Sequence, residues 1–214
     1  MKPIKLIVVL ALIVVPGLAS AQGYYGGGPG YGPPPLPGGF HDRQGRLAIG
    51  GSLGLGYMNA NSQAVTCQGC SSTPVTGEGD IHIGGFIGPR LALLFEGQVN
   101  VQQVALDPAN DATLSQTLLL GAVQYWITPQ LWIKGGIGLA YLNYNDNVAG
   151  TSTQSDGGLG LMGGLGYELL SARNFALDLQ GRLTEGSYST TDAAGNSQRD
   201  NITSGTIGVG LNWY

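Results

Sequence analysis

The residues with the most evident chemical potential are a cysteine pair and two histidines. Cys67-Gln68-Gly69-Cys70 forms a C-x-x-C. A thioredoxin-type motif needs a strand-to-helix setting in a βαβ unit, and nothing around residue 67 offers one. Haem attachment needs His directly after the second Cys, where Ser71 stands. Zinc needs further ligands, and His41 and His82 are the only histidines. A disulfide joining Cys67 and Cys70 across an exposed loop fits best, in a chain exported to an oxidising compartment. Nucleophilic catalysis needs a base beside the nucleophile and a third group to orient it. His82 has no second base near it in the pattern, and His41 borders a Gly/Pro segment. The expectation is therefore a non-enzymatic protein with no catalytic residues, no resident metal and no cofactor.

The remaining candidates are charges, and they are scarce. The chain has nine Lys and Arg against thirteen Asp and Glu, a net charge of -4. That balance excludes nucleic acid as a partner, because phosphate binding needs a basic surface. Roughly one residue in six is glycine, against a usual ~7%. The hydrophobic fraction is nevertheless an ordinary 43%, so the chain as a whole is not disordered. Glycine at this density argues against helices, costing about 1 kcal/mol per interior position relative to Ala.

The amino-terminal part precedes the fold. Lys2 and Lys5 open a positive start, Leu6 to Val15 is an unbroken apolar run, and Ala19-Ser20-Ala21 precedes Gln22. This is the pattern of a secretory signal peptide over 1–21, cleaved after Ala21 with Ala19 and Ala21 as the small residues and Gln22 as the new start. The apolar run is shorter than the ~20 residues that a membrane-spanning helix needs. Residues 22–44 contain the stretch GYYGGGPGYGPPPLPGG and read as a periplasmic linker. Residues 45–214 carry the domain.

From residue 46 onward the apolar period is two. Leu47, Ile49, Leu53, Leu55 and Tyr57 alternate with Ala48, Gly50, Ser52, Gly54 and Gly56. Comparable alternation runs through 81–88, 91–102, 131–141, 158–169, 175–183 and 206–213, each a half-buried strand. Residues 113–127 are apolar on both faces; Gln116 and Gln124 assign the Leu118, Leu120 and Trp126 face inward. That makes eight strands. Short connections fall near 88–90, 128–130 and 171–174, and long ones over 59–79, 106–112, 145–156 and 186–200. Pro74, Pro89, Pro108 and Pro129 all lie in connections, as a missing N–H requires.

The facing follows from the face opposite the apolar one. It is mostly Gly, Ala, Ser and Gln, with few charges, whereas a soluble surface carries roughly 25–35%. A narrow lumen explains it better. Arg46, Lys134 and Arg182 would meet Glu96, Glu168 and Asp178 there, joined by His82, Gln98 and Gln180 in one polar network. The apolar face then meets lipid, with aromatics near both strand ends. Glu78 and Asp80 are expected in or beside the first long connection.

The chain thus resembles the OmpA/OmpX-like outer-membrane barrels, over about residues 45–214. The terminal assembly signal of that family is polar-x-Gly-x-x-apolar-x-apolar. Thr206, Gly208, Leu211 and Trp213 occupy its positions, and Tyr214 stands where Phe is usual. The resemblance implies an all-β, eight-stranded antiparallel transmembrane barrel with short periplasmic turns and longer extracellular loops. It implies the outer membrane of a Gram-negative bacterium as location. The partners it implies are outer-membrane lipid and lipopolysaccharide, the barrel-assembly machinery, and an extracellular partner reached through the loops. The expected role is structural or surface-interacting. The alternatives are a narrow channel for ions or small solutes, and a soluble lipocalin-like ligand carrier with the facing reversed.

Overall fold

A computed structural model describes residues 43–64, 75–107, 110–146, 151–155, 157–172, 174–191 and 197–214. The signal segment with Ala19, Ala21 and Gln22, most of the linker, and the Cys67–Cys70 pair lie outside the described residues. Ten strands follow in chain order: β1 Leu47–Ala60, β2 Gln63–Ala64, β3 Thr76–Gly88, β4 Leu91–Asp107, β5 Asn110–Trp126, β6 Leu131–Asp146, β7 Thr151–Gln154, β8 Gly158–Ser171, β9 Phe175–Thr191 and β10 Ser197–Trp213. Short β2 and β7 extend hairpins from β1 and β6. The other eight pair antiparallel with their sequence neighbours, and β10 pairs with β1 from Ile49↔Trp213 to Ala60↔Ile202. That last ladder closes the sheet into an eight-stranded barrel and removes both edges.

The period of two decides what lies inside. On the outer face Leu53, Ile81 and Ile207 are 71%, 70% and 69% exposed. On the inner face Ala92, Leu118, Leu120, Ala140 and Ala176 are fully buried. β5 turns its Gln116, Gln124 and Trp126 side inward. The ladders shift register at Phe86/Gly88, Ala105/Asp107 and Glu168/Leu170, and the last of these disturbs the alternation. The β8–β9 register shifts between Glu168 and Leu170, so Leu169 and Leu170 both point outward.

Inward small residues allow the close approach that eight strands require. A Cβ on Gly138 would strike the Leu119 carbonyl, whereas one on outward-facing Gly135 would meet open space.

Two differences from the sequence reading matter. First, much of what reads as long connection is strand. β4, β5, β9 and β10 have 17 residues each, against the ~9–11 that cross a bilayer. The hairpins therefore continue as paired ladders beyond the length that crosses a bilayer. Their Ser, Thr and Asn side chains suit a solvated ladder but give no apolar alternation to read. Second, β3 begins at Thr76, and this brings Glu78 and Asp80 into the lumen, both buried. The glycines at 77 and 79 occupy the outward positions there, so the sequence shows no apolar period.

Candidate functional site

The site is the lumen itself, a stack of polar groups. Near the long hairpins, Gln116 Nε2 donates to Tyr188 Oη at 3.0 Å and to the Ile202 carbonyl at 3.2 Å. Asn100 Nδ2 donates to Gln116 Oε1 at 3.0 Å. Thr184 and Ser204 share a hydroxyl hydrogen bond, and Thr76 donates to Gln102 at 2.6 Å.

Midway down, Arg182 of β9 holds three carboxylates. Its Nη1 lies 2.7 Å from Glu96 and 3.2 Å from Glu78, and its Nη2 lies 2.8 Å from Asp80. Lys134 of β6 reaches the other oxygen of Glu96 at 3.0 Å. Thr206 donates to Glu78 at 2.5 Å, and Gln180 accepts from Arg182 at 3.2 Å. Gln98 donates to Asn100 at 3.3 Å. These partners come from strands all round the barrel, so they tie opposite walls together.

His82 sits just below. Its Nδ1 is 3.1 Å from Asp80, its Nε2 is 2.8 Å from Asn212, and Ser52 donates to the other oxygen of Asp80. Ser, Asp and His are thus assembled, but in the wrong order for nucleophile activation. The carboxylate stands between Ser52 and His82, and the ring nitrogen that would take a serine proton faces Asn212. Oxygens and ring nitrogens of Asp80, His82 and Glu96 lie within 4.8 Å of one another, a spacing compatible with a metal ion. The guanidinium of Arg182 already bonds both carboxylates there.

Asp178 follows, accepting from Asn212 Nδ2 at 2.7 Å and from Trp132 Nε1 at 3.3 Å. Its second oxygen is buried without a hydrogen-bond partner. At the short-turn end, Glu168 is fully buried and accepts four donors. They are Arg43 Nη1 at 3.0 Å, Arg43 Nη2 at 2.9 Å, Trp126 Nε1 at 2.7 Å and Tyr214 Oη at 3.1 Å.

Arg43 is the functional residue that the pattern missed. By sequence, residue 43 falls in the linker, and Arg46 is one of three expected lumen cations with Lys134 and Arg182. In the structure Arg46 is half-buried in the turn that enters β1, and Arg43 is only 3% exposed inside the mouth. Local backbone explains the exchange. Gly45 adopts φ +74°, and Arg46 N–H bonds the Arg43 carbonyl at 3.0 Å, closing a tight turn. That turn is stitched to Phe86, whose carbonyl accepts from Gly45 and whose N–H donates to Arg46. The reversal folds Arg43 back under the barrel. A Gly two residues after an Arg was the available signal.

Among the described residues the lumen therefore buries Glu78, Asp80, Glu96, Glu168 and Asp178 against Arg43, Lys134, Arg182 and His82. The even balance read from sequence becomes an acidic one. The expected assembly-signal residues divide between faces. Thr206 and Gly208 occupy inward positions, Leu211 and Trp213 are half-buried on the outer side, and Tyr214 is inside the lumen. Trp213 pairs with Phe175 across the β9–β10 ladder.

Comparison with known proteins agrees with this architecture. The family model of the outer membrane protein beta-barrel domain matches residues 7–214. Neisserial surface protein A aligns with a TM-score of 0.50 at 16% identity, covering 78% of this chain and 96% of its own. Ail, the attachment invasion locus protein of Yersinia pestis, solved with the heparin analogue sucrose octasulfate, aligns with a TM-score of 0.51 at 10% identity, covering 79% and 99%. At these identities the likeness concerns the fold alone. No curated protein matches the chain. The lipid-compatible outer face, the closed eight-stranded ring and the matched family point to the Gram-negative outer membrane. The chain belongs to the outer membrane protein β-barrel domain family.

Proposed function

We propose that this chain is a non-enzymatic envelope protein whose role is structural or surface-interacting, with the extended hairpins as its contact region. The observation that carries this reading is the filled lumen. Ion pairs cross it at mid-depth, and Arg43, Glu168, Trp126 and Tyr214 occupy its short-turn end. A small barrel filled this way is a strut rather than a pore. Export with cleavage after Ala21, delivery by the barrel-assembly machinery and contact with lipopolysaccharide belong to the same reading. A Cys67–Cys70 disulfide would staple the first outer loop.

The second reading is a narrow ion channel. The acidic excess in the lumen favours it, since unbalanced carboxylates attract cations. Cells lacking the chain separate the two. A structural role predicts detergent sensitivity, reversed by re-expression, with unchanged uptake of small solutes. Reduced uptake with intact detergent resistance would instead support the channel.

A further inference from the structure

The grip on Arg43 is built like a ligand site. Its guanidinium carbon lies 4.1 Å from the Tyr214 ring centroid, 5.0 Å from Trp126 and 5.9 Å from Phe86. The three rings brace one another. Phe86 and Tyr214 meet edge-on at 5.3 Å, Trp126 and Tyr214 at 6.0 Å, and Phe86 and Trp126 lie tilted at 5.1 Å. Glu168 closes the box with a two-point grip on both terminal nitrogens, and Ser171 Oγ accepts a further bond at 3.3 Å. Stacked faces plus a forked carboxylate select a planar guanidinium over a compact ammonium.

The walls come from β3, β5, β8 and the residue after β10, all locked in the barrel ladder. The occupant does not. Arg43 precedes β1 and is held by the Gly45 turn and its hydrogen bonds to Phe86. The receptacle is thus part of the barrel, and its ligand is carried on the Arg43–Arg46 turn.

We propose that the short-turn mouth of the barrel is a guanidinium receptor whose resident ligand is Arg43. The Arg43–Arg46 turn ahead of β1 carries that ligand. With the Arg43 side chain removed, the box accepts an alkylguanidinium from solution. This proposal is independent of whether the outer hairpins contact a partner.

Chemical rescue tests it on the full mature chain refolded in detergent. Arg43→Ala should lower the unfolding temperature read from unboiled gel mobility and change the emission of Trp126. Ethylguanidinium at millimolar concentration should restore both readouts saturably in Arg43→Ala, and ethylammonium at equal ionic strength should do so at least about tenfold less well. The parent chain and the Arg43→Ala/Glu168→Gln double variant should show no saturable response. If Arg43→Ala fails to refold, Arg43→Lys serves, because it keeps the charge and loses the fork. It should refold, unfold at a lower temperature than the parent and regain stability with ethylguanidinium. The proposal is overturned by parental stability in the variants, by equal rescue with both cations, or by rescue that persists in the double variant.

Discussion

Arg182 on β9 and Glu96 on β4 meet at 2.7 Å across the barrel, on strands that stand opposite each other in the ring. Glu96 also takes Lys134 from β6, so one carboxylate serves two cations from different walls. Arg182 has Glu78 and Asp80 in reserve. The two cations therefore depend on Glu96 unequally.

Replacing Glu96 by Ala should destabilise the barrel by about 3–5 kcal/mol, the usual cost of stranding a buried charge. Most of that loss belongs to Lys134. Glu96→Ala combined with Lys134→Met should recover part of it. Urea unfolding in detergent, read by unboiled gel mobility, measures the cycle. Strictly additive losses would deny the coupling.

Gly138 and Gly135 are three residues apart on β6 and should respond oppositely to the same change. Gly138→Ala forces a Cβ against the Leu119 carbonyl. It should cost about 1–3 kcal/mol, as overpacking does. Gly135→Ala meets open space on the outer face and should be near neutral. Equal effects would contradict the assigned facing.

The sequence made the facing legible wherever apolar and small residues alternated. Even β5 could be oriented, because Gln116 and Gln124 broke its symmetry. What was hidden had physical causes. The start of β3 carries glycine at its outward positions, so Glu78 and Asp80 read as loop residues. The outer halves of β9 and β10 are held by backbone pairing in water, which leaves no hydrophobic period. Arg43 needed a left-handed Gly45 turn to reach the lumen, and a turn redirects a side chain without altering composition. The mid-lumen set of Lys134, Glu96 and Arg182 was legible as inward charge, but not as a shared carboxylate.

The last two residues separate assembly from stability. Trp213 lies on the outer side and Tyr214 inside, where its hydroxyl donates to Glu168. Trp213→Ala should reduce the amount of barrel inserted in cells, well beyond any effect of changing Cys67 and Cys70 to Ser. Tyr214→Phe keeps the ring against Arg43 and loses one hydrogen bond to a charged group, about 1.5–3 kcal/mol. It should insert normally and unfold earlier. Pulse-chase assembly in cells together with unfolding of the purified chain distinguishes the pair. Equal insertion of Trp213→Ala and the Cys variant would remove Trp213 from the assembly signal.

The outer apolar face requires lipid or detergent. The chain should fractionate with outer membranes and migrate differently on SDS gels before and after boiling. Recovery from the periplasm with no such shift would support the reversed, lipocalin-like facing. At mid-depth, Leu53→Arg should cost about 2–4 kcal/mol of stability in lipid vesicles. A neutral effect would place that face away from the acyl chains.

The most direct test of the filled-lumen account is single-channel recording of the refolded full chain in planar bilayers. The account predicts no stable, reproducible conductance step from the parent chain. Discrete steps of constant size, unaltered by Glu96→Gln or Arg182→Met, would contradict it, because current would then pass a lumen that these ion pairs do not close.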